Sequence, residues 1–153
     1  MRRSLALALA VLGLSTVGAC TPGLPSEADI TQSLEQELRS VAGDWTGLNA
    51  SPPQTLVLNF TLAEAANGQV TGTGKMKELD APTTVPITLT GSFQRPVLSL
   101  TIDGMVYEGR PVRGTFMGSY TTVGGISTTL ELTGSGYTKQ LAMVFVESKG
   151  TLP

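Results

Sequence analysis

The chain has 153 residues with no histidine and a single cysteine, Cys20. Serine or cysteine nucleophiles activated by an imidazole are therefore excluded, as are His-ligated metal sites. Carboxylate pairs remain: Glu27 with Asp29, Glu35 with Glu37, and Glu78 with Asp80. Residues two apart on a helix do not face one another, so Glu35 and Glu37 cannot act jointly. The stretch Lys77-Glu78-Leu79-Asp80-Ala81 supplies few of the six or more oxygens that Ca2+ requires. Gly72-x-Gly74 and Gly134-x-Gly136 open no helix, which rules out phosphate loops. The expectation is a protein that is not an enzyme, with no catalytic residue, metal or cofactor.

Cys20 ends a patterned stretch. Arg2-Arg3 is a positive start, Leu5 to Leu14 an apolar run, and Gly18-Ala19 a small-residue end, which together read as an export signal over residues 1–19. The apolar run is shorter than the about 20 residues a spanning helix needs. Val17-Gly18-Ala19-Cys20 resembles the lipobox of bacterial lipoproteins. That resemblance implies that Cys20 is the lipid attachment site and the first residue of the mature chain. It also implies anchoring to the bacterial outer membrane, on its periplasmic or its surface face. A lone thiol has no intramolecular partner in an oxidising compartment, which agrees with its being acylated.

Past the signal, eight basic residues stand against 12 acidic ones, a formal charge of −4. This gives no footprint for nucleic acid. Membrane attachment is expected through the acyl chains. Residues 20–25 contain two prolines and a glycine and read as a tether. Over 26–40, Ser26 and Asp29 form a capping-box-like start, and Ile30, Leu34, Leu38 and Val41 recur at helical spacing. A short N-terminal amphipathic helix is expected there, its apolar stripe closing the core or meeting a partner.

From 41 to 153 the period becomes two. Strands are expected at Asp44–Leu48, Gln54–Leu62, Gln69–Lys77, Thr84–Phe93, from Leu98 to a turn at Asp103-Gly104, at Met105–Glu108, Val112–Tyr120, Ile126–Thr133 and Lys139–Glu147. Asn67-Gly68 reads as a two-residue type I′ turn. Short connections force antiparallel neighbours, and closing the meander removes both exposed edges. The fold class is thus all-β, an up-and-down antiparallel barrel of about eight strands with one N-terminal helix. The inward set includes Trp45, Leu58, Phe60, Ile87, Leu89, Leu100, Phe116, Leu130, Met143 and Phe145. Eight strands leave an interior that side chains can fill or that can hold one small ligand, and the sequence leaves both open.

Gly43-Asp44-Trp45 resembles the Gly-x-Trp signature that opens lipocalin and avidin-type (calycin) barrels. Gly68-Gln69-Val70-Thr71-Gly72-Thr73 is similar to an avidin hairpin return. The resemblance implies a Trp across the closed barrel end with a late basic residue, Lys139 or Arg113, packed on it. It also implies a lipocalin-like pocket for a small apolar ligand, lined by the ten inward residues named above. The departures are a single Trp and no disulfide. Small barrels that inhibit secreted metalloproteases share the Gly-x-Trp opening. The expected function is a cell-envelope lipoprotein that binds a small apolar ligand. The alternatives are an interaction module docking an envelope protein, or a protease-inhibitor-type barrel.

Overall fold

The period-two segments become eight strands in a computed structural model that describes residues 26, 39–52, 55–121 and 124–148. They are β1 (Gly43–Asn49), β2 (Leu56–Glu64), β3 (Gln69–Glu78), β4 (Val85–Gln94), β5 (Val97–Tyr107), β6 (Arg110–Ser119), β7 (Gly125–Gly134) and β8 (Tyr137–Ser148). Each pairs antiparallel with the next, and β1 pairs with β8, closing an up-and-down barrel. Cys20, the 20–25 tether and residues 27–38 of the expected helix lie outside the described residues. Ser26, Arg39 and Ser40 belong to no regular element.

Alternation puts one face of every strand into a common core. Leu56, Leu58, Phe60 and Leu62 of β2 are buried, as are Leu98, Leu100 and Ile102 of β5. Glycines on the inward face make room for large neighbours. Gly47 lies against the Phe145 ring, Gly74 against Phe60 and Gly114 against Met105. A closed cylinder of this size packs densely only when bulky residues face small ones around the wall.

Three turns differ from the sequence reading. Asp103-Gly104 is not a turn but a bulge within β5: pairing with β6 shifts register between Ile102 and Met105, with Gly104 at φ 83°. The extra residue lets Ile102 and Met105 both point inward. The real hairpin tip is Glu108-Gly109, where both residues have positive φ (50° and 71°) between the paired Tyr107 and Arg110. Met105–Glu108 is accordingly the end of β5 and no separate strand. At Asn67-Gly68 only Gly68 has positive φ, at 78°. Gly68 N–H donates to Ala65 O and Ala65 N–H to Gln69 O, which is a longer loop than a two-residue type I′ turn.

Pro86 acts as its chemistry requires. It pairs with Lys75 of β3, while the β4–β5 ladder begins only at Thr88. An imide nitrogen has no N–H for a second ladder.

Candidate functional site

At one end the chain's entry segment is tied across the barrel. Trp45 is buried, and its Nε1–H donates to Val41 O at 2.9 Å. The Trp45 ring packs on Tyr120, and Tyr120 on Phe93, with centroids 5.6 and 6.3 Å apart. Glu64, 7% exposed, gathers the segment. Its carboxylate accepts from the Ser40 hydroxyl, the Val41 N–H and the Arg95 guanidinium, the last at 2.5 Å. Arg95 Nε–H also donates to Arg39 O. Burial works against charge on Glu64, but the Ser40 and Val41 hydrogen bonds and Arg95 together hold its carboxyl below the ordinary 4.5.

This end corrects one expectation. Neither Lys139 nor Arg113 packs on Trp45. Arg113 pairs with Asp103 on the outer wall at 2.6 Å, and Lys139 lies over Tyr107 and contacts Glu108. The ring on the Trp is Tyr120, and the cation over Tyr120 is Arg39, 5.9 Å from its centroid. A basic residue preceding the Trp thus occupies the region where the resemblance implied one following it.

The ten residues expected to line a ligand pocket are together in the core, each at most 5% exposed. Phe145 stacks on Phe116 at 4.6 Å and meets Phe60 at 5.8 Å, bridging the barrel from β8 to β6 and β2. A cavity that admits water leaves accessible surface on its lining, and these side chains have almost none. All ten belong to one cluster of buried side chains.

The opposite end carries a group of polar and aromatic residues that the sequence reading did not bring together. Asn49, 4% exposed, accepts from the Thr55 and Leu56 N–H groups through Oδ1 and donates from Nδ2 to Ser51 O. That fixes the β1–β2 loop at the rim. The Tyr107 hydroxyl meets Thr55 Oγ1 at 3.2 Å. Glu108, at the β5–β6 tip, reaches over the mouth: its N–H donates to Glu78 Oε1 on β3, while its carboxylate accepts from Lys139 Nζ at 2.5 Å and from the Tyr137 hydroxyl at 3.1 Å on β8.

Lys139 also sits 4.8 Å from the Tyr107 centroid, and Arg110 lies over Tyr137 at 5.4 Å. The Lys139 hydrogen bond holds the Glu108 carboxyl below its usual range, and the same bond raises Lys139. Burial, then the Glu108 contact, raises Tyr137. Among these groups lies a recess of about 300 Å3, lined by Asn49, Thr55, Tyr107, Glu108, Lys139 and Leu141 among others. Its sequence signal was the β8 alternation, in which Lys139 continues the inward series of Leu141, Met143 and Phe145 toward the rim.

No family model matches the chain, and none of the curated proteins is similar to it.

Proposed function

We propose that the chain is a non-enzymatic, lipid-anchored protein of the bacterial cell envelope whose barrel works as an interaction module, meeting a protein partner at its mouth. The observation that carries this reading is the low exposure of the ten inward residues within one buried cluster, which favours a binding surface over an internal pocket. The mouth is the best-furnished surface for it. Tyr and Arg are enriched at the centres of protein interfaces, and Tyr137 and Arg110 stand there beside an ion pair. Lipid attachment at Cys20 and the outer-membrane address rest on the lipobox resemblance. The described chain enters β1 at the Trp45 end, and the mouth lies at the other end of the barrel.

Photocrosslinking in intact cells from positions 110 and 137 tests the reading. Adducts with a discrete envelope protein are expected from these two sites and none from position 90 on the outer wall; no adduct from either mouth site overturns the partner. Native mass spectrometry tests the small-apolar-ligand alternative. The interaction reading expects the bare protein mass, whereas a co-purifying lipid or fatty acid in stoichiometric amount would replace it with a lipocalin-like role.

A further inference from the structure

The outer wall of the barrel is not uniform, and the strand register shows how its residues are grouped. Across β8, β1, β2 and β3, Val144 stands beside Leu48, Leu48 beside Val57, and Val57 beside Lys77. One step toward the Trp45 end, Val146 stands beside Thr46, Thr46 beside Asn59, and Asn59 beside Lys75. Five large apolar side chains are exposed among the described residues, and three of them, Leu48, Val144 and Val146, fall in this patch. The opposite wall is built differently. There Thr101 of β5 and Thr115 of β6 face out in register, with a single exposed Met117 farther along β6.

The lysines are placed for an external partner. Lys75 and Lys77 are exposed, and neither takes part in an ion pair among the described residues. Between them and β1 runs a groove of about 430 Å3 lined by Thr46, Val57, Asn59, Lys75 and Lys77 among others. Asp44 is the carboxylate on this groove, and it is engaged by the Thr61 hydroxyl at 2.5 Å. An aliphatic strip bordered on one side by two lysines has the chemistry of a surface that rests on a bilayer, apolar groups at the headgroup boundary and cations on phosphates.

We infer that this β8–β1–β2–β3 wall docks on an anionic phospholipid surface, so that the tethered barrel lies on its side. The inference rests on the envelope-lipoprotein reading for its biological setting. Charge complementarity selects the occupant: the protein is acidic as a whole, yet this wall offers two lysines beside its exposed aliphatics. The tether permits it. The stretch between Cys20 and Arg39 is about 18 residues, which reaches about 27 Å even if fully helical.

Vesicle co-sedimentation of a chain beginning at Thr21 tests the wall apart from any acyl anchor. That chain keeps all eight strands of the closed barrel, which runs from Gly43 to Ser148. It is expected to bind phosphatidylcholine vesicles containing phosphatidylglycerol, to bind pure phosphatidylcholine far less, and to be released by salt. Lys75→Glu with Lys77→Glu should weaken binding at least about tenfold, at about 1 kcal/mol for each lysine near an anionic surface. Val144→Ser with Val146→Ser should weaken it as well, while Thr101→Ser with Thr115→Ser on the opposite wall should not.

Circular dichroism and Trp45 emission establish that each variant is folded. The inference is overturned if the parent ignores the anionic vesicles or if the lysine variant binds like the parent. It is also overturned if inorganic phosphate at constant ionic strength displaces the protein, since the site would then be for free phosphate. None of these results touches the acyl anchor, which membrane fractionation of the full chain decides separately.

Discussion

The Trp45 ring, near the start of the first strand, packs on the Tyr120 ring just beyond the sixth at a centroid distance of 5.6 Å and an angle of 59°. Strands from opposite sides of the cylinder are thereby joined across one end. Glu147, on the last strand, accepts the Tyr120 hydroxyl at 2.7 Å. Burial and this contact raise the Tyr120 hydroxyl's pKa, so it remains the donor throughout the physiological range.

Trp45 is the chain's sole tryptophan and is 2% exposed. Its emission should be blue-shifted and insensitive to acrylamide, and both properties should disappear in one step on unfolding. Trp45→Phe loses the hydrogen bond to Val41 O and part of the ring, for about 1–3 kcal/mol; Trp45→Ala should cost about 3–5 kcal/mol. Urea denaturation followed by circular dichroism measures both, since the tryptophan signal is gone in the variants.

Glu64 makes the fold sensitive to acid. Its folded pKa is lowered, so its stabilising effect is complete above the ordinary value of 4.5 and is lost as pH falls through the folded value. Melting temperature should therefore decline more steeply below pH 4.5 in the parent than in Glu64→Gln. The variant should be less stable than the parent at pH 7 and approach it at pH 3. Parallel curves for the two proteins would remove Glu64 from the acid response.

Gly91 admits no side chain. A Cβ there would collide with the Ser99 carbonyl oxygen, a backbone atom held in the β4–β5 ladder, and with Leu100. Gly91→Ala should cost about 1–3 kcal/mol, because the atom in the way is backbone and cannot swing aside. At Gly109 a Cβ has open space, so Gly109→Ala should cost about 1–2 kcal/mol, through its positive φ alone. Equal losses for the two would contradict the close packing of the β4–β5 wall.

Cys20→Ser tests the anchor. The parent chain should partition into the membrane fraction and resist extraction by high salt, while the variant with its signal removed should be released by that wash. Retention of the variant at high salt would exclude acylation as the source of membrane attachment.

Most of the barrel was legible because its two faces differ in chemistry. Leu56, Leu58, Phe60 and Leu62 alternate cleanly, and strand alternation in a closed barrel has one meaning. Gly-containing dipeptides were harder to read. Asp103-Gly104 and Asn67-Gly68 look alike as punctuation, yet a positive-φ glycine serves a bulge, a longer loop or a tight turn equally well. Glu108-Gly109 is a tight turn without a favoured first residue, so nothing local announced it.

The mouth was obscure for a different reason. Lys139 and the adjacent Tyr107 and Glu108 come from two distant places along the chain, and only the curvature of the closed sheet brings them together. The lysine-bordered aliphatic wall was equally hidden. Val144, Leu48, Val57 and Lys77 are neighbours solely through the register of three separate ladders.

The placement of β1 between β2 and β8 has a mechanical meaning. A pull on the N-terminal segment is applied along the axis of β1, so it loads both flanking ladders in shear, with their hydrogen bonds sharing the force instead of parting one after another. The last strand ends beside the first, at Ser148 opposite Asp44. A pull on this end against a contact at the opposite mouth would thus be spread over two ladders at once and passed through them to the rest of the barrel.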